Sequence, residues 1–401
     1  MNLDEKLPAI RPLDVTPFRA EDDEMRFALR DQTQIATQVL AISPAGYFVL
    51  AQLDGRRSCN DIRAAFLEQF GQSISAEQIE SMLAELDAAL LLDTDRYRNA
   101  YRQRRDEYLA SSVRDNRARW PDEASLRDEL RQLIESEQFE HDGAIVGAIA
   151  PHLDYARGAP CYAATYRRLA CADAAERYVI LGTNHFGRSS SVVATRKDFL
   201  TPLGRVETDV SFIERVERRL GAGICENEFD HQAEHSIELQ VHLLQACHPD
   251  ASFDIVPVLC PDPSGPSGTA PRDGRGPDLD DFCDALRDAL DDSDRNTIVI
   301  AGADLSHVGQ QFGDAQPATD EVLDTVGEKD RALLDKIVAH DERGFVDAVR
   351  AVENATHICS VGCIYTLLRA LPDASCTLLH YHQAVDHDAD VHVTCAASIL
   401  R

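Results

Sequence analysis

Three histidines follow short apolar segments that have the composition of buried strands. His152, His185 and His307 each come within five residues of the end of such a segment, and Asp304 adds a carboxylate three residues before His307. In open α/β sheets, ligands bind beyond the carboxyl ends of the strands. If the three segments belong to one sheet, these side chains meet at one edge. We therefore expect a site there that binds a metal ion or transfers protons.

The pattern around these histidines alternates between strands and helices. Continuous apolar runs lie at 143–150, 177–182, 190–195, 253–260 and 297–302. Helical patterns separate these runs, and two further strand-like runs close the chain. The alternation predicts an α/β fold with a largely parallel sheet and helices on both faces.

Cys359 stands just before a helical pattern that carries Leu367 and Leu368. The dipole and the free N–H groups at a helix N-terminus favour a thiolate. A thiolate suits a metal ligand or a nucleophile, whereas a buried free thiol is the ordinary alternative. We assign the functional role to Cys359 and a place in the core to Cys363.

A further candidate lies in the helical stretch DHQAEHSIELQVHLL. The segment EHSIE predicts that His235 enters the cleft and that Glu238 orients it. His231 and His235 are four residues apart, but Gln232 stands where a zincin motif needs glutamate, so we exclude a zincin. We expect His231 and His242 to be surface residues of the helix.

Two other groups of residues are left without a firm role. Asp154 and Tyr155, just after His152, either support the site or only pack nearby. His380 and His382 lie on the same face of a predicted strand, where they either line the cleft or bind metal adventitiously.

The composition limits the partners and the location. The formal net charge is −29, which argues against a broad basic face that binds nucleic acid. We expect no membrane span, because that needs roughly 18 apolar residues in a row. The N-terminal stretch lacks the apolar core of a secretory signal. We expect a cytoplasmic protein with reduced cysteines, and leave a homo-oligomer open.

The chain divides by pattern into three regions. Residues 1–95 contain short helices and a β-ribbon, which outline a small winged-helix domain. Residues 96–140 form an arginine-rich helical connector. Residues 141–401 form the α/β domain.

Local signals predict several element ends in the first two regions. The segments 26–31 and 33–40 have the composition of strands. Ser75 and Ser125 are expected to cap helices at their N-termini, and Gly71 is expected to end one.

Seven segments within residues 143–401 resemble motifs of the Memo family, whose bacterial members are called AmmeMemoRadiSam system protein B. PHLDYARG resembles the PHAGY segment of the family, and ILGTNHFG its GPSHH segment. EHSIELQ and FDIVPVLC resemble its EHSxE helix and following strand. ADLSHVGQQFG resembles its SDFCHWG segment, HICSVGC its ICGxxP segment and HYHQA its YxxS segment. The order and the spacing of the segments agree as well.

This resemblance implies the fold of class III extradiol dioxygenases, which use non-haem Fe(II). It implies a metal site, open to water or substrate, whose ligands are His152, His185 and Cys359. The residues around that site would be His235, Asp304 and His307. Two histidines and a cysteine vary the two-His-one-carboxylate triad of iron enzymes, and the soft thiolate also suits copper or zinc.

The sequence departs from the family at five places near these motifs. The substituted positions are Leu153-Asp154 for Ala-Gly, Phe186 for a second histidine, Val308 for tryptophan, Cys363 for proline and Ala384 for serine. The ligand set matches the family, whereas the pocket lining does not. The resemblance therefore carries over a metal site but no substrate.

The first region resembles a PqqD-like domain, a peptide-recognition module found with peptide-modifying enzymes. ISPAGYFVLAQLDGRRS, followed by DIRAAFLEQFG, has the spacing of the LSxxAxxxLxxLDGxxT pattern. The resemblance implies that a leader-type peptide adds a strand to the edge of its sheet. A winged helix that only packs on the α/β domain is the alternative.

Together these observations lead to a metal-dependent oxidoreductase that acts on a peptide or on a small molecule carried by a peptide. His307, backed by Asp304, would act as general acid or base, and His235 would orient the substrate. A non-catalytic metal- or peptide-binding protein is the first alternative. Zinc-assisted hydrolysis with the same ligands is the second.

Overall fold

The computed structural model describes residues 3–20, 22–138 and 143–401. The chain forms two compact units, Met1–Ala110 and Ser111–Arg401, which we call the N-terminal and the C-terminal unit. The connector expected at 96–140 is thus divided between the two units. Its expected end, at residues 140 and 141, lies outside the described residues.

Among its described residues, the N-terminal unit contains a small antiparallel sheet and four helices. Its strands, paired in the order β1-β2-β3, are β1 (Asp14–Arg19), β2 (Met25–Arg30) and β3 (Leu40–Ile42). Its helices are α1 (Pro44–Ala51), α2 (Cys59–Phe70), α3 (Ala76–Ala88) and α4 (Asp95–Ala110). The apolar faces of α2 and α3 meet in one core, around Ile62 and Ile79. The arrangement of these elements as a winged helix stays a prediction.

The predicted ends of the N-terminal elements are right for the helices and partly wrong for the strands. Ser75 caps α3 in a capping box, and Gly71 ends α2 with a φ of 66°. The strand expected at 33–40 is mainly a turn, because the Asp31 carboxylate accepts hydrogen bonds from the backbone N–H groups of Thr33 and Ala36. Strand β1 was not predicted.

The C-terminal unit contains one large sheet and eight helices among its described residues. The strands, numbered on from the first unit, are β4 (Val113–Asp115), β5 (Gly147–Ala150), β6 (Arg177–Thr183), β7 (Val193–Ala194), β8 (Asp198–Thr201), β9 (Gly204–Thr208), β10 (Asp254–Cys260), β11 (Thr297–Gly302), β12 (Asp304–Val308), β13 (Cys376–Asp386) and β14 (Val391–Leu400). The helices are α5 (Glu123–Glu135), α6 (Tyr155–Cys171), α7 (Val210–Leu220), α8 (Ser236–Cys247), α9 (Leu279–Asp291), α10 (Asp320–Val338), α11 (Glu342–Ala351) and α12 (Val361–Ala370).

The sheet is parallel at its centre and mixed towards its edges. The strands follow the order β12-β14-β5-β11-β6-β10-β9-β8-β4, while β13 pairs with β14 and β7 with β10. The run from β5 through β11 and β6 to β10 is parallel. Strands β12 and β13 are antiparallel to β14, which is itself antiparallel to β5. The predicted α/β class with a largely parallel sheet is confirmed, whereas the antiparallel edges were not predicted.

Helices cover both faces of this sheet. Val179 and Leu181 of β6 belong to a core that includes residues of α7, α9 and α12. Tyr178 and Ile180 of the same strand belong to a second core, which includes residues of α5, α6 and α8. Successive side chains of a strand point to opposite faces, so a strand that is apolar at every position requires this double cover.

Helix α5 begins earlier than the serine signal predicted. The side chain of Asp122 accepts hydrogen bonds from the N–H groups of Ala124 and Ser125, so Asp122 is the N-cap and Ser125 lies inside the helix. An ionised cap also interacts favourably with the positive end of the helix dipole. The prediction that Ser125 caps this helix is therefore wrong.

The central strands end in register, which brings their following residues together. Ala150 of β5 pairs with Gly302 of β11, and Ala301 pairs with Leu181 of β6. Gly182 is needed where β6 ends, because a Cβ there would lie 2.5 Å from Oγ of Ser236 at the start of α8. Among the residues that the structure describes, no helix combines the length and the apolar character needed to cross a membrane.

Candidate metal centre

His152 follows β5 directly and is 2% exposed. Its Nδ1 lies 2.9 Å from the carbonyl oxygen of Gly302, and its backbone N–H donates to Oδ1 of Asp304 at 3.0 Å. Because a carbonyl only accepts, Nδ1 carries the proton in this contact, and the lone pair of Nε2 is left for a metal. The two adjacent strands β5 and β11 thus fix the orientation of this imidazole.

His185 follows β6 and is held by a buried carboxylate. Its Nδ1 lies 3.1 Å from both carboxylate oxygens of Glu234, and its backbone N–H donates to Oε2 at 3.0 Å. The side chain of His185 is 22% exposed, whereas that of Glu234 is 1% exposed. The carboxylate orients the ring and favours the tautomer whose Nε2 is free to bind a metal.

Glu234 is a site residue that the sequence patterns did not single out. Its Oε1 also accepts from the backbone N–H groups of His235 and Ser236, each at 2.9 Å, at the start of α8. An acidic residue beside a helix N-terminus is an available signal, but the pattern EHSIE drew attention to Glu238. The structure places Glu238 elsewhere: its carboxylate pairs with Arg114 at 3.1 Å, so the prediction that it orients His235 is wrong.

Cys359 lies just before α12 and faces His152. Its Sγ is 3.3 Å from Nε2 of His152 and 3.2 Å from Oγ of Ser360. Ligand atoms of His152, His185 and Cys359 all lie within 4.8 Å of one another. One metal ion can reach all three at the 2.0–2.3 Å typical of nitrogen and thiolate ligands after only small adjustments. The structure therefore brings together the three residues that the resemblance implied as ligands.

The charges in this group stabilise one another. Burial would raise the pKa of the Cys359 thiol, but the imidazoles of His152 and His307 outweigh it and hold that pKa well below its ordinary value. Burial would lower the pKa of His152, but Asp304 and the thiolate raise it to about 10. The pKa of His185 is likewise raised well above its ordinary value by Glu234, against burial. Metal binding would thus release protons from the imidazoles rather than from the thiol.

His235 stands beside this group as a neutral imidazole. Its ring stacks on that of His185, with 5.2 Å between the centroids, and its Nδ1 lies 3.5 Å from Oε1 of Glu234. Burial lowers the pKa of His235 to about 4, although Glu234 opposes the shift. A neutral imidazole at the side of the cleft can accept or donate one hydrogen bond to a bound molecule.

Asp304 and His307 lie on β12, which has a bulge between them. Asp304 is 1% exposed, and burial raises its pKa even though its Oδ2 lies 3.4 Å from Nε2 of His152. Nδ1 of His307 lies 3.1 Å from the carbonyl oxygen of Leu305. Asp304 thus contacts the metal-site histidine, and the backbone of Leu305 orients His307.

The other residues considered from the sequence lie away from the three donors. His231 and His242 are 1% and 0% exposed, so the expectation that they are surface residues is wrong. His231 bonds to the carbonyl of Val193, and His242 to the hydroxyl of Tyr155. Cys363 is buried in the core, as expected.

The structure also shows the contacts of three residues whose role the sequence left open. The Asp154 side chain caps α6 and pairs with Arg157. His380 and His382 stack on each other along β13, with 6.4 Å between the ring centroids.

The donors suit a transition metal with room for further ligands. Two imidazole nitrogens and one thiolate are borderline-soft ligands, which favour iron, copper or zinc over magnesium or calcium. The carboxylate of Glu234 contacts Nδ1 of His185, and that of Asp304 accepts from the backbone N–H of His152, which are contacts that orient histidine ligands. A centre with three protein ligands leaves coordination positions for water or substrate.

Comparison with known proteins identifies the family to which the chain belongs. The family model for Memo-like proteins matches residues 120–399. The chain belongs to the Memo-like family. All of the site residues described above lie inside the matched range. The N-terminal unit and residues 111–119 lie outside it.

Several Memo relatives match over most of their own length. A MEMO1 family protein of Aquifex aeolicus is 26% identical over 313 residues, which cover 77% of each chain. One of Methanopyrus kandleri is 32% identical over 282 residues, covering 66% of this chain and 89% of the relative. One of Methanosarcina mazei is 29% identical, covering 69% of this chain and 93% of the relative.

Proposed function

We propose that this Memo-like protein is a metal-dependent oxidoreductase whose metal is held by His152, His185 and Cys359. Non-haem Fe(II) is the metal we favour, and copper or zinc would also suit the thiolate. The observation that carries the proposal is the convergence of three donor atoms within 4.8 Å. The outer nitrogens of both imidazoles are already engaged, by Gly302 and Glu234.

The residues around the donors have roles that fit this chemistry. The metal, when bound, would supply redox chemistry to a substrate at its open positions. His307 would donate or accept a proton at its imidazole, held in place by the carbonyl of Leu305. The neutral His235 would hydrogen-bond the substrate. Phe186, whose ring is 5.6 Å from that of His185, would form an apolar wall.

The N-terminal unit suggests the kind of substrate. Its sheet has β1 and β3 as its two edge strands among the described residues. An extended leader-type peptide could pair with such an edge, as the PqqD-like pattern implies. We propose that the chain is a protein B of an AmmeMemoRadiSam system, and that the peptide, or a small molecule attached to it, is modified at the metal centre.

Metal analysis tests the first part of this proposal. The protein would be purified without oxygen and its metals measured by mass spectrometry, beside His152→Ala and Cys359→Ser. We expect about one metal per chain, lost in both variants. His387→Ala and Cys171→Ser are the matched controls, since they remove an exposed imidazole and a thiol that lies in α6. A wild-type protein without stoichiometric metal, or variants that keep it, would contradict the proposal.

Oxygen consumption separates the candidate activities. Uptake of O2 that depends on a candidate peptide supports an oxidoreductase. Cleavage of the peptide without O2 uptake, by protein loaded with zinc, would instead identify a metal-assisted hydrolase. Stoichiometric metal with neither reaction would favour a metal- or peptide-binding protein.

A further inference from the structure

A short segment that overlaps the Memo-like match only at its last residue binds the loop that carries Glu234. This segment, residues 113–120, consists of β4 and a turn that ends at Trp120; we call it the strap. Its side chains donate to four consecutive backbone carbonyls of the loop before α8. These hydrogen bonds run from Arg114 to His231 (2.7 Å), from Asn116 to Gln232 (3.2 Å), from Arg119 to Ala233 (3.2 Å) and from Arg114 to Glu234.

Arg114 is the centre of the strap. Its side chain is 2% exposed, and its guanidinium pairs at 3.1 Å with the carboxylate of Glu238, which is 1% exposed. The planar fork of arginine can serve two carbonyls and a carboxylate at once. Buried carbonyls without such donors would be costly, so the conformation of the loop depends on this guanidinium.

The same loop residue connects Arg114 to the metal-site histidine. The carbonyl of Glu234 accepts from Arg114, and its carboxylate accepts from the ring and the backbone N–H of His185. A loop that shifts by a few tenths of an ångström would therefore rotate the imidazole of His185. The strap holds the backbone of this loop, and the loop orients His185 through the side chain of Glu234.

We propose that Arg114 is a positioning residue for the metal centre, which sets the orientation of His185 by fixing the backbone of Glu234. The proposal rests on the proposed function, in which His185 is a metal ligand. It goes beyond that function, because it assigns part of the metal geometry to a residue that precedes the family match.

Arg177 provides a matched control. Its side chain is 1% exposed and pairs with the carboxylate of Asp209, so Arg177→Ala also removes a buried guanidinium from an ion pair. Arg177 begins β6, at the end of the strand opposite to His185. Loss of either arginine should lower the midpoint of thermal unfolding, but only loss of Arg114 should alter the site.

The first test uses the full chain and Co(II) alone, under anaerobic conditions. We expect the wild type to bind one Co(II) with a thiolate charge-transfer band. In Arg114→Ala we expect affinity reduced about 10–100-fold and a changed visible spectrum. Arg114→Lys keeps the charge but lacks the fork, and should not restore the spectrum. Arg177→Ala and the exposed-site variant Arg117→Ala should keep the wild-type spectrum.

The second test needs no metal and so separates the two proposals. Ring ¹⁵N shifts of labelled histidines in the apoprotein report the hydrogen bond from Nδ1 of His185 to Glu234. These shifts should change in Arg114→Ala and not in Arg177→Ala. If the wild type binds no Co(II), the metal proposal fails, whereas the ring shifts still decide whether Arg114 positions His185.

Two results would overturn the role of Arg114. One is a variant Arg114→Ala with wild-type spectrum, affinity and ring shifts. The other is an equal change of these readouts in Arg177→Ala. If Arg114→Ala does not fold, the double variant Asn116→Ala, Arg119→Ala replaces it, because Asn116 is only partly buried and the side chain of Arg119 is 30% exposed. It should change the same readouts in the same direction, and unchanged readouts would overturn the proposal.

Discussion

At the scale of single residues, the centre is defined by what holds each ligand. The outer nitrogen of His152 faces a carbonyl and that of His185 faces a carboxylate. Both rings are therefore oriented before any metal arrives, and both present Nε2 to the thiolate side of the cleft. Loss of such a supporting contact usually weakens metal binding or activity substantially.

Replacing Glu234 tests this support directly. In Glu234→Gln an amide replaces the carboxylate, so the charged hydrogen bond to Nδ1 of His185 is lost. We expect metal affinity to fall about 10–100-fold, measured by competition with a chromophoric chelator. Glu226→Gln, at an exposed position, is the control. Equal affinity in the two variants would mean that Glu234 supports only the backbone of α8.

At the scale of elements, close packing of β6 on α8 places two parts of the site together. Gly182 is the last residue but one of β6, and a Cβ at this position would lie within 2.6 Å of Ser236 and Ile237. Ser236 in turn hydrogen-bonds the backbone N–H of Thr183 at 3.0 Å. The strand that leads to His185 and the helix that follows Glu234 are thus packed without room for a methyl group.

Gly182→Ala should force this contact apart. We expect a loss of about 1–3 kcal/mol in the free energy of unfolding, together with weaker metal binding, because α8 must move. Urea denaturation and metal titration measure the two effects. Gly223→Ala is the control, since the nearest atom to a Cβ there is 3.8 Å away. Destabilisation without any change in metal affinity would show that the site tolerates the shift.

In the N-terminal unit, a buried ion pair supports the turn that follows β2. The Asp31 carboxylate accepts from Arg11 and from the backbone of the turn after β2. Burial would raise its pKa, but the N–H of Ala36, the hydroxyl of Thr33 and Arg11 outweigh burial and lower it below 3.8. The structure of this turn therefore depends on an ionised carboxylate.

This dependence gives a pH prediction. Because the folded pKa of Asp31 lies below its unfolded value, the carboxylate contributes full stability above the unfolded value. That contribution is lost as the pH falls through the folded pKa. In Asp31→Asn, calorimetry should show a lower unfolding temperature at about pH 7 and a smaller loss on acidification to about pH 3. Glu68→Gln, at an exposed position of α2, should behave as the wild type does.

At the scale of the whole molecule, all of the site residues and the strap lie in the C-terminal unit. In that unit, the two largest buried cores lie on opposite faces of the sheet. The N-terminal unit has a core of its own. We therefore expect residues 111–401 to fold alone and to bind metal with the affinity of the full chain.

A pair of truncations tests this expectation. Residues 111–401 keep the strap, whereas residues 121–401 lack it and leave the carbonyls of the loop before α8 without its donors. Both fragments would be compared by circular dichroism and Co(II) titration. We expect the longer one to match the full chain and the shorter one to bind more weakly. Equal binding by both would argue against the strap.

The sequence by itself determined the class of fold and indicated the three residues that we propose as ligands. Three apolar runs of the length of strands, each followed by a histidine, are local patterns. The rule that parallel strands end at one edge extends them to a site. The motif at Cys359 added the third ligand through the family resemblance. The antiparallel edge strands, such as β12, were missed because strand pairing depends on partners far along the chain.

Only the tertiary structure decided which groups support the ligands. Glu234 is 49 residues from His185, and Arg114 is 120 residues from Glu234. No local spacing relates these residues. The sequence pattern also does not distinguish the carboxylate of Glu234, just before α8, from that of Glu238, within α8. Packing separates them: Glu234 turns to His185, and Glu238 turns to Arg114. The two histidine donors thus follow strand ends and the thiolate precedes a helix, whereas the orientation of all three depends on the folded surroundings, because buried polar groups take the partners that packing brings to them.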